Sequence, residues 1–262
     1  MNFEYAGVTD PGLLRENNED SVAFDPVQGV AVLADGMGGY NAGEIASAMA
    51  VTFVKAELSR WLEEAAPQCT ASDIKHAMEV CVVNANQSIY NAANANPQFS
   101  GMGTTIVLGV FEAGRVLLAH VGDSRCYVWR QGVLTQLTRD HSLLQEQLAA
   151  GVITPAQAKV ASHKNLVTRA LGVDDGVQVD VMEHTPAEGD VYLMCSDGLS
   201  DMVDDEDVAR LLLNKSSLQD CASALVRAAN EAGGRDNISV ILIGAKAESG
   251  PQGFFSRILR RG

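Results

Sequence analysis

The feature that constrains the fold most is a series of short, β-branched apolar runs separated by only a few turn residues. Runs of this length and composition, bounded by turn residues, are typical of strands. The connecting segments DPVQG, EAG, GDS and RQG favour hairpins, so we expect mainly antiparallel sheets. The predicted strands are 21–24, 30–34, 104–111, 116–121, 126–130, 177–182, 191–195 and 238–243.

Two long segments between the early and later strands carry Ala, Met, Leu and Lys at helical spacing. Residues 42–64 and 71–95 are therefore predicted to be helices, the second with Ser72 as its N-cap. Shorter helices are predicted near 205–213 and 218–231. Strands interrupted by helix pairs predict a layered α+β sandwich, with the helices covering the outer faces of two mainly antiparallel sheets.

The chain of 262 residues is expected to form a single domain over residues 1–247. Residues 140–172 are more polar, include Pro155 and contain only short helical pieces, so we expect a flap inserted at the surface. Residues 248–262 mix apolar and basic side chains. We expect a flexible tail there, and the alternative is a short segment that docks on a membrane or a partner.

Charge excludes one class of partner. Lys and Arg number 19 against 33 Asp and Glu, which gives a formal net charge of -14. A protein with this imbalance is not expected to bind the phosphate backbone of nucleic acid. An anionic substrate would be attracted only by bound cations or by a few suitably placed arginines.

Cysteine usage and the amino terminus indicate the compartment. The five cysteines are widely spaced and form no C-x-x-C pair, so neither a disulfide framework nor a zinc site is predicted. The sequence MNFEYAGVTD lacks both a basic start and an apolar stretch, and no apolar run reaches the roughly 20 residues that span a bilayer. We expect a cytoplasmic protein with no transmembrane segment.

Four aspartates stand next to predicted strands. Asp35 and Asp197 each close an apolar run, whereas Asp20 and Asp236 each precede one. In an antiparallel sheet the end of one strand lies beside the start of its neighbour, so the four carboxylates are expected to meet at one edge of a sheet. Each Asp-Gly pair taken alone is better explained as a turn signal.

Four clustered carboxylates would repel one another and lose hydration unless a cation lay between them. Oxygen ligands of this kind suit Mg²⁺ or Mn²⁺. Gly36 and Gly198 follow two of the aspartates and would allow close approach of backbone carbonyls and water, and Glu19 adds another carboxylate. The sequence therefore predicts a site for divalent cations.

Seven motifs occur in the order found in metal-dependent protein phosphatases, and the chain resembles the bacterial branch of the protein phosphatase 2C family over about residues 5–245. No single motif is specific, but the ordered set is. The resemblance implies an α-β-β-α sandwich with helix pairs outside and a metal centre at one end of the sheets. The motifs are RENNEDS (15–21), DGMGG (35–39), GMGTT (101–105), HVGDSR (120–125), LTRDHS (137–142), SDGL (196–199) and GRDN (234–237).

The resemblance also implies a two-metal core, occupied by Mn²⁺ or Mg²⁺. Asp35 would bridge the two ions. Asp197 and Asp236 would hold the first ion, and Asp20 with the Gly36 carbonyl would hold the second.

Three further residues take roles by the same resemblance. Glu19 would lie in the outer shell of the metal centre, and Asp123 would join Asp197 at a third metal site. Arg15 matches the arginine that binds the substrate phosphate. An exposed surface arginine with no such role is the alternative for Arg15.

The expected chemistry is hydrolysis of phosphoserine and phosphothreonine. Two metal ions about 3.5–4 Å apart can hold a bridging water, lower its pKa and present the hydroxide in line with phosphorus. Arg15 would orient the phosphate through its planar guanidinium and offset developing charge.

The source of the proton for the leaving alkoxide is left open by Met37, which stands where animal members of the family have a histidine. A water on the metal, His163 or His141 are the alternatives. Lys164 and Arg169 in the flap are candidate contacts to peptide that flanks the phosphoresidue.

The sequence also allows two alternative functions. Cys221 and Arg227 have the C-x5-R spacing of cysteine-dependent phosphatases, but the intervening residues lack glycine and favour an amphipathic helix. The other rival is a family-like domain that binds phosphorylated partners without hydrolysis, against which the full set of acidic residues argues. We expect a monomer that acts on phosphorylated proteins, including a Ser/Thr protein kinase.

Overall fold

The computed structural model of this chain describes residues 1–38, 42–65, 69–154, 157–158, 166–213 and 217–247. Within them the strands fall close to the predicted positions, with two additions. The strands are β1 (Asn2–Asp10), β2 (Asp20–Asp25), β3 (Val30–Met37), β4 (Gly103–Thr104), β5 (Ile106–Glu112), β6 (Arg115–Val121), β7 (Arg125–Arg130), β8 (Val133–Gln136), β9 (Asp180–His184), β10 (Val191–Cys195) and β11 (Ile238–Lys246).

Helices occupy the segments between and after these strands. The two long helices match the predicted ranges to within one residue, and a short 3₁₀ turn (Pro97–Phe99) follows the second. The helices are α1 (Ala42–Ala65), α2 (Ala71–Ala95), α3 (Leu143–Ala149), α4 (Asp197–Ser200), α5 (Asp205–Leu213) and α6 (Leu218–Glu231).

The strands form two antiparallel sheets that pack face to face. The first sheet has the order β1-β11-β10-β7-β8, and the second has the order β2-β3-β5-β6-β9, with β4 also paired to β3. Leu33, Val107, Tyr192 and Ile241 meet between the two sheets in a buried apolar layer. The predicted α+β fold with two mainly antiparallel sheets is confirmed.

Alternation along each strand explains the four layers. In β3 the side chains of Val30 and Val32 pack against α1 and α2. The side chain of Leu33 points the opposite way and packs against the first sheet. In β11, Leu242 packs under α5 and α6 and Ile241 faces the second sheet. Because successive side chains in a strand point to opposite faces, fully apolar strands are buried on both sides, and the helices form the outer layers of an α-β-β-α sandwich.

Two strands were not predicted. β1 pairs with β11 along its whole length, from Asn2 with Lys246 to Asp10 with Ile238, but it is an edge strand with polar and glycine residues that hide its pattern. β8 is also an edge strand, and Val133 on it is exposed. Strands with one solvated side carry fewer apolar residues, so their pattern is weaker.

Three local predictions were wrong. The segment GDS is not a hairpin, because β6 before it belongs to the second sheet and β7 after it belongs to the first. The strand predicted to begin at residue 177 begins at Asp180. The N-cap of α2 is Thr70, not Ser72, since Thr70 and Asp73 accept each other's backbone N–H groups in a capping box.

The region predicted as a flap is anchored at both ends. Thr168 N–H donates to the His141 carbonyl, and Leu143 N–H donates to the Leu166 carbonyl. His141 and Leu171 are buried, so the ends of this region belong to the packed body of the protein rather than to its surface. His163, Lys164 and the predicted tail 248–262 lie outside the described residues.

In the part of the chain that the structure describes, no helix combines the length and the apolar character needed to cross a bilayer.

Candidate metal centre

Asp20 and Asp35 lie side by side at one end of the second sheet. Asp20 begins β2 and pairs in register with Asp35 of β3. The backbone N–H of Asp35 donates to Thr105 Oγ1 at 3.0 Å, and Thr105 Oγ1 is 2.7 Å from Ser124 Oγ. The antiparallel register therefore fixes the first two carboxylates at a shared edge.

Asp197 and Asp236 lie at the end of the first sheet, where β10 finishes and β11 begins. Cys195 near the end of β10 pairs with Val240 near the start of β11. Asp197 then opens α4, and Asp236 precedes β11 by two residues. The expectation that all four carboxylates share one sheet edge was wrong, because each sheet contributes two of them.

A buried serine joins the two pairs. Ser196 Oγ donates to Asp20 Oδ2 at 2.8 Å and accepts the Ser239 N–H at 3.0 Å. Ser196 itself has no exposed surface. The serine next to Asp197 is thus in contact with Asp20 across the gap between the sheets, which brings the two ends together.

Asn237 makes a second connection. Its Oδ1 accepts the Glu19 N–H at 2.8 Å, and its Nδ2 donates to the carbonyls of Pro11 at 3.0 Å and Asn17 at 2.8 Å. Asn237 therefore holds the loop before β2 against the start of β11. Glu19 and Asp236 lie on the two sides of this connection.

Gly36 lies where backbone segments come closest. A Cβ atom at this position would lie 2.1 Å from the Gly43 carbonyl oxygen and 2.5 Å from the Glu19 carbonyl oxygen. The Gly36 N–H donates to the Glu19 carbonyl at 3.1 Å. Only glycine allows this approach, so the residue after Asp35 is fixed by packing.

The electrostatics of these carboxylates are dominated by burial and mutual repulsion. Desolvation raises the pKa of Asp35 and of Asp197 well above the usual range for a carboxyl, and the neighbouring aspartates raise both further. Desolvation also raises the pKa of Asp20 to about 6, against the opposing effect of hydrogen bonds from Ser239 and Ser196. Without a cation, the folded chain disfavours the charged form of these groups.

Asp123 lies in the turn between β6 and β7 and faces the same centre. It is buried, and desolvation, reinforced by Asp140, raises its pKa to about 6. Its charge in turn raises the pKa of Asp197. Asp201, which follows α4, adds to the negative potential at both residues.

Arg15 is at the rim of the centre. Its Nη2 donates to Asp236 Oδ2 at 2.7 Å, and half of its side chain (51%) is exposed. Desolvation raises the pKa of Glu19, Arg15 opposes this increase and Asp236 adds to it. Arg15 is thus a cation that reaches the acidic centre from the solvent side.

These residues fit hard divalent cations. All the charged groups that most affect Asp35 are carboxylates, namely Asp20, Asp197, Asp123 and Asp236. Asp20 Oδ1 is buried and has no hydrogen-bond partner in the described chain. A buried acceptor without a donor, inside a group of oxygen ligands, is what a bound Mg²⁺ or Mn²⁺ would satisfy.

A second cluster, formed by His120, His141 and Asp180, has ligand atoms within 4.8 Å of one another but is a hydrogen-bonded network. His141 Nδ1 accepts the Gly122 N–H at 3.1 Å, so in the neutral ring Nε2 carries the proton. That nitrogen lies 3.3 Å from Asp180 Oδ2, and Arg169 Nη1 lies 3.0 Å from Asp180 Oδ1. The Arg169 guanidinium therefore already provides the positive charge that Asp180 needs. His141 is therefore held in place and not free to reach the metal centre.

The C-x5-R segment is helical. Cys221 is buried on α6, and the Arg227 side chain is 70% exposed. The helix offers no loop that could surround a phosphate. The rival chemistry therefore has no site here.

Sequence reasoning did not identify the residues that join the acidic segments. Ser196 and Asn237 lie in motifs that contain a predicted ligand, and Thr105 lies in a family motif that contains none. Their position inside SDGL, GRDN and GMGTT was the available signal. The bonds they make cross between distant segments, so no local pattern reveals them.

Comparison with known proteins gives consistent results. A family model described as protein phosphatase 2C matches residues 15–242. The chain is similar to the serine/threonine phosphatase stp of Listeria innocua, with 37% identity over 238 residues, 90% of this chain and 93% of that protein.

Solved structures agree in fold. The crystal structure of the Mycobacterium tuberculosis serine/threonine phosphatase PstP/Ppp matches with a TM-score of 0.86 and 35% identity, covering 94% of this chain and 100% of that one. A structure of the PstP catalytic domain in complex with two manganese ions matches with a TM-score of 0.81 and 35% identity, covering 94% and 99% of the two chains.

Proposed function

This chain belongs to the protein phosphatase 2C family, and the relatives it matches are named serine/threonine phosphatases. We propose that its acidic centre is the place where phosphoproteins are hydrolysed. The observation that carries this proposal is the convergence of Asp20, Asp35, Asp197 and Asp236 around the buried, unpartnered Asp20 Oδ1. The chain acts on phosphoserine and phosphothreonine in proteins.

Asp35, Asp197 and Asp236 would hold one divalent cation, and Asp35 with Asp20 and the Gly36 carbonyl would hold a second. Glu19 would support the centre from the outer shell. Asp123 with Asp197 would hold a third cation. The two manganese ions in the PstP structure favour Mn²⁺, with Mg²⁺ as the alternative.

When bound, two divalent cations supply activation of water near neutral pH and offset the negative charge of the phosphate. Thr105 and Ser196 keep the carboxylates in position through their hydrogen bonds to the Asp35 N–H and to Asp20. Arg15, which reaches Asp236 from the solvent side, would bind the phosphate oxygens through its planar guanidinium.

For the proton that the leaving oxygen needs, we propose His163, which lies outside the described residues. His141 is already bonded to Gly122 and faces Asp180. His163→Ala should flatten the limb of the pH profile that depends on a protonated acid, with peptide turnover lowered more than turnover of p-nitrophenyl phosphate, whose leaving group needs no proton. An unchanged profile would remove His163 from this role.

The substrate includes proteins phosphorylated by a Ser/Thr kinase, and the kinase itself is a candidate. We place the enzyme in the cytoplasm as a monomer, and the acidic surface argues against nucleic acid as a partner. Residues 1–247 form one phosphatase domain, with a flap over about 140–172 and a tail over 248–262. All five cysteines are thiols, which suits a reducing compartment.

The test is hydrolysis of a phosphothreonine peptide with and without Mn²⁺, for the wild type and Asp35→Asn. The variant should lose at least about a hundredfold in kcat/KM at saturating Mn²⁺, because it removes the ligand shared by both ions. Asp25→Asn is the matched control, since Asp25 lies at the other end of β2 from Asp20. Full activity in Asp35→Asn, or in chelator, would overturn the assignment.

A further inference from the structure

Two large apolar side chains are exposed beside Arg15. Leu13 is 65% exposed and Leu14 is 71% exposed. A single exposed leucine needs no explanation. An exposed pair immediately before the proposed phosphate-binding arginine is more informative, because apolar surface next to a site often contacts the ligand.

The segment that carries these leucines is held firmly against the metal centre. The N–H groups of Leu13 and Leu14 both donate to the Gly234 carbonyl, at 2.7 and 3.2 Å. Gly12 has φ of +78°, and a Cβ there would lie 2.2 Å from the Asp236 carbonyl oxygen. The leucines are therefore fixed relative to Asp236, so their exposure is a property of an ordered surface.

Leu13 also forms one wall of a groove of about 420 Å³ between β1 and α6. Val8 and Val226 line its apolar part, while Asp10 and Asn230 lie at its polar side. The Asn230 Nδ2 donates to Asp10 Oδ1 at 3.0 Å, but Asn230 Oδ1 is buried and has no partner in the described chain. The groove thus offers an apolar surface beside the segment that carries Arg15.

We propose that this groove, which we call the Leu13 groove, is a substrate subsite that binds an apolar side chain of the phosphoprotein near the phosphoresidue. The inference rests on the proposed role of Arg15. The occupant is substrate polypeptide because the groove is continuous with the segment that ends in Arg15.

Geometry limits where the apolar residue lies. Leu13 and Arg15 are two positions apart, so their Cα atoms are separated by at most about 7 Å. An extended peptide covers this distance in about two residues. Since the two side chains extend from these Cα atoms, we expect the subsite to bind a side chain within a few residues of the phosphoresidue.

The experiment uses phosphothreonine peptides that carry a single leucine or serine at each position from three before to three after the phosphoresidue. At one position leucine should raise the wild-type kcat/KM about three- to tenfold over serine, as partial burial of a leucine predicts. Leu13→Ser should abolish this preference, and Leu13→Met should keep it. Each kcat/KM is divided by that for p-nitrophenyl phosphate, which has no flanking residues.

Val133→Ser is the matched control, because Val133 is 63% exposed and lies on the β7–β8 hairpin, at the far end of β7 from Asp123. It should keep the wild-type preference. The proposal is overturned if Leu13→Ser lowers the leucine and serine peptides equally, since Leu13 would then only support Arg15. It is also overturned if sedimentation shows a wild-type dimer that Leu13→Ser dissociates, since a second copy would then occupy the groove.

The same peptides and p-nitrophenyl phosphate, tested on an Arg15 variant, distinguish a failure of the subsite from a failure of the proposed function. Arg15→Ala should lower kcat/KM for all the peptides and for p-nitrophenyl phosphate while keeping the leucine preference. If Arg15→Ala has no effect on either substrate, the role of Arg15 fails, and a surviving leucine preference that depends on Leu13 would still support the subsite.

Discussion

The two ends of β10 carry aspartates with opposite electrostatic environments. Asp190 precedes the strand and Asp197 follows it. The Asp190 side chain has no exposed surface, yet it accepts hydrogen bonds from Arg130 Nε at 2.8 Å, from Arg130 Nη2 at 2.7 Å and from the Ala187 N–H at 2.7 Å. Burial would raise the pKa of Asp190, but these donors outweigh it and the pKa is lowered.

At the other end of the strand, acidic side chains lie near Asp197. Desolvation raises the pKa of Asp197 well above its usual range, and Asp123 and Asp236 raise it further. The contrast shows that burial alone does not decide the charge of a carboxyl group. Asp190 is bonded to an arginine that favours its charged form, whereas the acidic neighbours of Asp197 disfavour its charged form.

The largest effect expected from this contrast is on catalysis. Asp197→Asn should reduce kcat/KM for a phosphothreonine peptide by at least about a hundredfold at saturating Mn²⁺, because it removes a proposed ligand of a metal ion. The metal-free variant should be no less stable than the metal-free wild type, since a poorly solvated charge has been removed. Thermal unfolding with and without Mn²⁺ measures both stabilities.

Asp201→Asn serves as the control for Asp197→Asn. Asp201 contributes to the same negative potential but is exposed at the end of α4. If Asp197→Asn retained activity within about threefold of the wild type, or lost several kcal/mol of metal-free stability, Asp197 would belong with Asp190 among the structural aspartates.

The next effect is on stability and comes from the other end of the strand. Asp190→Asn should cost about 1–3 kcal/mol, because charge-assisted hydrogen bonds from Arg130 are lost at a buried position. In a protein of this size that corresponds to a fall in Tm of roughly 2–4 °C per kcal/mol. Activity of the folded variant with Mn²⁺ should be retained, since Asp190 is remote from the acidic centre.

A double-mutant cycle with Arg130→Gln isolates the pair. The two substitutions together should cost less than the sum of the single costs, because each single change leaves the other group without its partner. Simple additivity would show that Asp190 and Arg130 do not stabilise the fold through each other.

Sequence alone predicted the elements that are buried on both faces, because their pattern is strong. The fully apolar strands β10 and β11 and the long helices α1 and α2 were found within a few residues of their observed bounds. The edge strands β1 and β8 were missed, since one side of each is solvated. The N-cap of α2 was predicted two residues too late, because Ser72 is also a good N-cap residue.

The acidic site was predictable as a set of residues but not as a geometry. Asp20, Asp35, Asp197 and Asp236 stand next to strands in the sequence, which indicates a sheet end. Which sheet each strand joins depends on tertiary packing, and the change of sheet between β6 and β7 at Asp123 cannot be read from the turn sequence. The same applies to the bond from Ser196 to Asp20, which joins positions 176 residues apart.

The smallest effect is a pH dependence that isolates one carboxyl. The pKa of Asp20 is raised by burial to about 6 in the folded protein, above its value of about 4 in an unfolded chain. As the pH falls through 6, the folded state takes up a proton before the unfolded state does, so the metal-free wild type gains stability from this group. The gain between pH 8 and pH 5 should be about 1–2 kcal/mol.

Asp20→Asn cannot make this gain, so the comparison is the difference in unfolding free energy between the variant and the wild type, without metal, at each pH. The difference cancels the histidines, which act in the opposite direction because burial lowers the pKa of His120, His141 and His184. The variant should be the more stable protein at pH 8, and its advantage should shrink toward pH 5. An advantage that stays constant over this range would mean that Asp20 is not a carboxyl held uncharged by its surroundings, and the contrast with Asp190 would be lost at that position.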